Sequence, residues 1–294
     1  MRVEEHEEPS ETVAGDAGRA TQGGRVGRWI PPAVAATLIV LSWQIVGTFY
    51  AVALENAWLV FHLSPPVPDL GFLSSPFKVL LQGQQEFIDG SLFEAVGTTT
   101  LHTLVSFFIA WGLGLPVANL IGSSRIIRDA LLPLAYAASG VPPVALLPLL
   151  LVAFQLGAGS VVALAVVGAS LTVVLGCYEV QLALPTDLPE ILQRLGYSSR
   201  STSLWKLSTA AAGLQSIARE ALRWSLILSV VGEMHGAIAG GLGAYIDSGR
   251  LNQNYAVVYL GILACALLAG LLKVFLGVSG SWLHRGVKAY LLRF

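Results

Sequence analysis

The sequence predicts an all-α, polytopic membrane protein. Of its 294 residues 54% are hydrophobic and 12% charged, long charge-free runs recur along it, and its lysines and arginines crowd into alternate connections. A soluble domain carries about 25% charged residues because its surface faces water. Half that content means that most of this chain faces lipid.

A spanning helix needs about 20 mostly apolar residues, with every backbone polar group satisfied within the helix. Residues 31–54 meet that test without a charge, and residues 95–121 meet it with one ionisable group, His102. From Ala130 to Tyr178 no side chain is charged. That run is too long for one span, and Gly157-Ala158-Gly159-Ser160 divides it into two helices joined by a tight turn. Residues 255–283 form the last span, interrupted only by Lys273, which is expected to snorkel toward the interface. The segment 213–239 is the most polar of the set, with Arg219, Glu220, Arg223 and Glu233, and it is counted because topology requires a crossing there. The expectation is about six transmembrane helices. Gly112, Gly114, Gly122, Gly168 and Gly176 supply small surfaces where helices can approach closely.

Placing the N-terminus inside puts fourteen lysines and arginines on inside segments and only Lys78 and Arg250 on outside loops. Positive residues are retained on the cytoplasmic side during insertion, so both termini are expected in the cytoplasm. Residues 1–28 hold Glu4, Glu5, Glu7, Glu8, Glu11 and Asp16 with almost no large apolar side chain. They read as a disordered cytoplasmic tail, and residues 29–294 as one transmembrane domain with a cytoplasmic loop over 184–212. The outside loop 55–92, with Pro65-Pro66-Val67-Pro68, reads as an extended, partly ordered stretch rather than a domain.

No P-loop, HExxH or GxSxG motif occurs, and Cys177 and Cys265 stand alone in apolar segments. Neither a catalytic residue, a metal site nor a cofactor is expected, and no basic stripe suggests nucleic acid. The informative loop runs from Leu184 to Gly196. Asp187 caps and Pro189-Glu190 start a short helix that Gly196 ends, with Ile191, Leu192 and Leu195 offering an apolar contact. It either lies on the membrane surface or fits a groove in a cytoplasmic partner.

Glu190 with Leu195-Gly196 resembles the EAA loop of binding-protein-dependent ABC permeases. In the same order, Val141-Pro142-Pro143-Val144-Ala145-Leu146-Leu147-Pro148-Leu149 and Phe154-Gln155-Leu156-Gly157 look like the third helix of the nitrate/sulfonate/taurine branch. Glu233-Met234 with Gly241-Leu242-Gly243 resembles that branch's fifth-helix ending. The similarity covers roughly residues 35–285. It departs where Ile191-Leu192 replaces Ala-Ala, where Tyr197 replaces a small residue, and where Ser208-Thr209-Ala210-Ala211 stands for a Leu-Pro.

The resemblance implies the bundle of a type I ABC importer permease. Its partners would be cytoplasmic ATP-binding subunits, a periplasmic or lipoprotein solute-binding protein, and a second permease chain, as a homodimer in preference to a heterodimer. The bulkier loop points to a dedicated ATPase or an asymmetric pairing. Asp187, Glu190, Ile191, Leu192, Leu195 and Gly196 would couple to the ATPase. Pro142, Pro143, Pro148 and Glu233 would border the translocation pathway, and the solute would be a small anion such as a sulfonate, taurine or nitrate. For Pro142, Pro143 and Pro148 a simple helix kink is the plainer reading, and for Glu233 an interfacial position stands equally. His102 reads as a packed or interfacial histidine. The competing class is an ATP-independent secondary transporter or channel, which the absence of an internal repeat disfavours.

Overall fold

The computed structural model describes residues 32–61, 74–184, 187, 190, 191, 194, 196, 199–235 and 240–291. The expected tail at 1–28 lies outside them. The chain divides into two units, Met1–Ser64 and Pro65–Phe294. The described part of the first is one helix, α1 (Pro32–Phe61), apolar over Val34–Phe49.

The second unit opens with α2 (Pro76–Asp89), inside the segment expected to be extended. Local rules build it: Ser75 Oγ accepts from Lys78 N, Pro76 takes the first helical position, and Gly90 closes the helix in the left-handed region at φ +77°. Next come α3 (Ser91–Ser123) and α4 (Arg125–Ser139), then a 3₁₀ turn (Pro143–Leu146) leading into α5 (Leu147–Phe154). The third expected span is therefore not one helix. Pro142 and Pro143 lack the amide hydrogens that would carry α4 onward, and α4 and the Pro143–Phe154 segment meet at 90°. The break expected around Gly157–Ser160 is present. Gln155 sits at φ +62° and α6 (Ala158–Ala183) follows.

After the 184–198 connection the chain forms α7 (Ser199–His235), α8 (Leu242–Leu251) and α9 (Tyr255–Leu291). At 1.5 Å per residue the 37-residue α7 is about 55 Å long, more than a bilayer core needs. It starts fourteen residues before the expected segment 213–239, so a polar first half can lie beyond the hydrocarbon. Five of the six expected segments are helical throughout their described residues, and the third is interrupted at Gly140–Pro142. Three of these helices, α3, α6 and the Tyr255–Gly277 part of α9, are long and apolar enough to cross a membrane, and the bent pair makes up to four. In α7, Arg219, Glu220, Arg223 and Glu233 leave too short an uncharged run to count by composition.

The core lies between α3, α6, α7 and α9, where Phe107, Val173, Cys177, Ile217, Leu222 and Leu268 are buried together. Small residues permit these approaches. A Cβ on Gly114 would lie 2.8 Å from Val173, and one on Gly176 2.8 Å from Ile217. Gly112, grouped with them from the sequence, has nothing within 4 Å of that position. Because α6 and α7 join through 184–198 and α7 joins α8 at its far end, the bundle has a loop end and an α8 end.

Candidate coupling loop and translocation site

At the loop end, Ile191 N donates to Asp187 O at 3.0 Å, the i to i+4 bond of a helical turn. Arg194 Nη2 lies 2.6 Å from Glu190 Oε1, with both side chains well exposed. An ion pair so open to solvent adds little stability, so Glu190 is not committed to holding the loop together. Gly196 follows at φ +84°, the left-handed conformation that ends a helix. The start and stop expected for this helix fit its described residues. Ile191 is 53% exposed, an apolar side chain left uncovered at this end. Leu192, Leu195 and Pro189 lie outside the described residues, as does Tyr197.

Farther along the bundle, the break between α4 and α5 opens a groove of about 350 Å³ against α6 and α7. Pro142, Pro143, Gly168, Thr172 and Trp224 line it, and no charged side chain does. Gly168 admits the approach, since a Cβ there would collide with Leu228 and lie 3.3 Å from Pro143. Of the expected pathway residues the structure thus brings Pro142 and Pro143 together. Pro148, in the first turn of α5, and Glu233 are not on this groove.

Glu233 is instead 1% exposed near the α8 end, two residues from the end of α7, and is packed inside the bundle. Thr99 Oγ1 donates to its Oε2 at 2.7 Å, and Gly243 N donates to the same oxygen at 3.0 Å. His102 Nδ1 lies 2.8 Å from Oε1. With a proton on Nδ1 the imidazole donates to the carboxylate, and as imidazolium it forms an ion pair. Leu242 N donates in turn to Thr99 Oγ1 at 2.7 Å.

Gly241, the N-cap of α8, has no side chain to satisfy that helix's first amides. The cap comes from elsewhere: a hydroxyl of α3 and a carboxylate of α7 take the amides of Leu242 and Gly243. A negative group is also favoured at a helix N-terminus by the helix dipole. Gly241 and Gly243 must stay bare, because a Cβ on the first would collide with the Glu233 carboxylate and one on the second with Val230 O. This clasp joins α3, α7 and α8.

Thr99 was missed from sequence, and His102 was given no partner. The available signal was the four-residue recurrence of polar groups on an apolar helix, Thr99 with Thr103 and His102 with Ser106, all buried. Lys273 is exposed and lies beside Arg219, Glu220 and Arg223. Among the described residues no group of three or more His, Cys, Asp or Glu could hold a metal ion.

The bundle thus carries an exposed turn at one end and an uncharged groove at a broken helix. Residues 110–289 match the family described as binding-protein-dependent transport system inner membrane component, and the chain belongs to that family. It is similar to the taurine transport system permease protein TauC of Escherichia coli (strain K12), 28% identical over 240 residues that cover 78% of this chain and 84% of that protein. Two structures of inward-facing conformations of the MetNI methionine ABC transporter share its fold, each with a TM-score of 0.54. One is 24% identical over 67% of this chain and 95% of its own, the other 23% identical over 69% and 98%. The protein is thus the permease subunit of an ABC importer for small solutes, a multi-pass inner-membrane component rather than an enzyme.

Proposed function

We propose that this permease imports a small anion-bearing solute, a sulfonate such as taurine before nitrate. It works with two cytoplasmic ATP-binding subunits that hydrolyse the ATP, an external solute-binding protein and a second copy of itself. The observation that carries this reading is the exposed helical turn from Asp187 to Gly196, on the side of the bundle where lysine and arginine collect. That charge bias supports a cytoplasmic loop and cytoplasmic termini. The sulfonate class follows the similarity to a taurine permease over 78% of the chain.

In this mechanism closure of the ATPase pair displaces the Asp187–Gly196 turn. The unbroken α7 carries the displacement along its length, past Trp224 on the groove. The clasp holds the far end of α7 to α3 and α8, so the bundle rocks about it and the Pro142–Pro143 groove changes its opening. Reconstituted with its ATPase and binding protein, the permease should accumulate labelled taurine only when ATP is present. Uptake by the permease alone would reject this reading in favour of a channel or secondary transporter.

The groove has its own test. In a background with Cys177 and Cys265 replaced by Ala, Thr172→Cys should react with a membrane-impermeant thiol reagent in the assembled transporter, and modification should stop uptake. A thiol that never reacts in any nucleotide state would remove the groove from the pathway.

A further inference from the structure

The face of α7 turned toward α9 carries a second cavity, of about 540 Å³, whose lining chemistry the transport cycle described above does not use. Its floor is apolar: Leu222, Leu226 and Leu272 are buried there. Its rim holds three cations, Arg219, Arg223 and Lys273, against one carboxylate, Glu220. That carboxylate is already engaged, with Arg223 Nε donating to Glu220 Oε2 at 3.1 Å. Arg219 Nε donates to a backbone carbonyl, that of Gln215. Among the described residues, no carboxylate pairs with Arg219 or Lys273.

Depth tells what could neutralise them. Arg219 lies fourteen residues before Glu233 on α7, about 21 Å toward the loop end, and Lys273 lies eighteen residues after Tyr255 on α9, about 27 Å the same way. With a hydrocarbon core about 30 Å thick, both cations fall near the headgroup boundary at the loop end. Beside them α9 shows the bilayer an unbroken apolar surface, with Leu267, Leu271, Val274 and Phe275 exposed. Cations at a headgroup boundary, over an apolar cleft continuous with a lipid-facing helix, match the two halves of an anionic phospholipid. Basic pockets between transmembrane helices on the cytoplasmic side hold such headgroups. A second copy of the chain fits poorly, since a two-fold centred on the cleft would set a rim of three cations and one engaged carboxylate against an identical rim.

We infer that the cleft between α7 and α9 is a binding site for an anionic phospholipid, its phosphate held by Arg219 and Lys273 and its acyl chains lying along α9. The site depends on membrane insertion and not on which solute is moved, so its failure would leave the import reading untouched.

Its test uses the assembled transporter in nanodiscs of phosphatidylcholine with and without phosphatidylglycerol, read by native mass spectrometry and thermal unfolding. Wild type should retain phosphatidylglycerol and unfold at a higher temperature in its presence. The double variant Arg219→Gln with Lys273→Gln should bind it roughly ten-fold more weakly or worse. The charge-preserving pair Arg219→Lys with Lys273→Arg should keep most of the binding and serves as the folding control. Equal retention by wild type and the Gln pair would overturn the site. So would stabilisation by inorganic phosphate or taurine in pure phosphatidylcholine, which would make the cleft a small-anion site. A disulfide forming between two copies of a Lys273→Cys variant would also overturn it, by assigning the face to the permease pair.

Discussion

Glu233→Ala is expected to destabilise the bundle by roughly 3–5 kcal/mol, the usual penalty for removing one partner of a buried hydrogen-bonded pair. The side chain is 1% exposed, and its loss strands His102 Nδ1, Thr99 Oγ1 and Gly243 N where water does not reach. A buried donor without an acceptor costs about 1–3 kcal/mol, so three of them outweigh the volume lost. Glu233→Gln should cost less, because its oxygen still accepts from Thr99 and Gly243 while its NH2 donates to His102 Nδ1 once the imidazole takes the tautomer protonated on Nε2. A double-mutant cycle between Glu233→Ala and His102→Ala should show coupling of about 1 kcal/mol or more, since once the carboxylate is gone the imidazole has no partner left to lose. Thermal unfolding of the detergent-solubilised protein measures all of these. A loss under about 1 kcal/mol for Glu233→Ala would mean that the clasp does not hold α8 in place.

At the other end of the bundle the expected loss is one of coupling. Gly196→Leu should leave insertion and yield near wild type and abolish ATP hydrolysis stimulated by the binding protein. At φ +84° a leucine costs of the order of 1–3 kcal/mol, although nothing lies within 4 Å of its Cβ. The turn would relax by changing its backbone, which re-aims Ile191 and Glu190. Gly196→Asn should keep more activity, because asparagine tolerates the left-handed region. Glu190→Lys should uncouple in the same way, since it replaces the pairing with Arg194 by repulsion one turn apart and inverts the charge offered to the partner. Basal hydrolysis by the ATPase, membrane fractionation and stimulated hydrolysis separate these outcomes. Stimulated hydrolysis unchanged in both variants would move the coupling away from this loop.

What could be read from the sequence was what one stretch of chain decides alone. The apolar runs of α3, α6 and α9 declare themselves, since lipid demands length and hydropathy together. The break before Ala158 and the ends of the Asp187–Gly196 turn follow from local glycine and cap chemistry. The same rules were present for α2 at Ser75-Pro76 and Gly90, but the neighbouring prolines at 65, 66 and 68 drew that segment toward an extended reading. The right angle at Gly140–Pro142 depends on how α5 packs against α6, so prolines suggested a kink and not its size. Glu233 and His102 were noticed for their charge and given no partners, because they stand 131 residues apart and no periodicity connects such positions. Lys273 and Arg219 met for the same kind of reason, brought together by two helices that run in opposite directions.

The borrowed cap of α8 also bears on the order in which the chain can mature. Thr99 is synthesised 134 residues before the carboxylate it serves. During that interval α3 carries Thr99, His102, Thr103 and Ser106 into or beside the bilayer with their final neighbours not yet made. Contacts of such long sequence separation form late, since the loop entropy must be met before they contribute. Closure of the clasp is thus expected late in assembly, and chains that end short of Glu233 would keep that polar face without its partner.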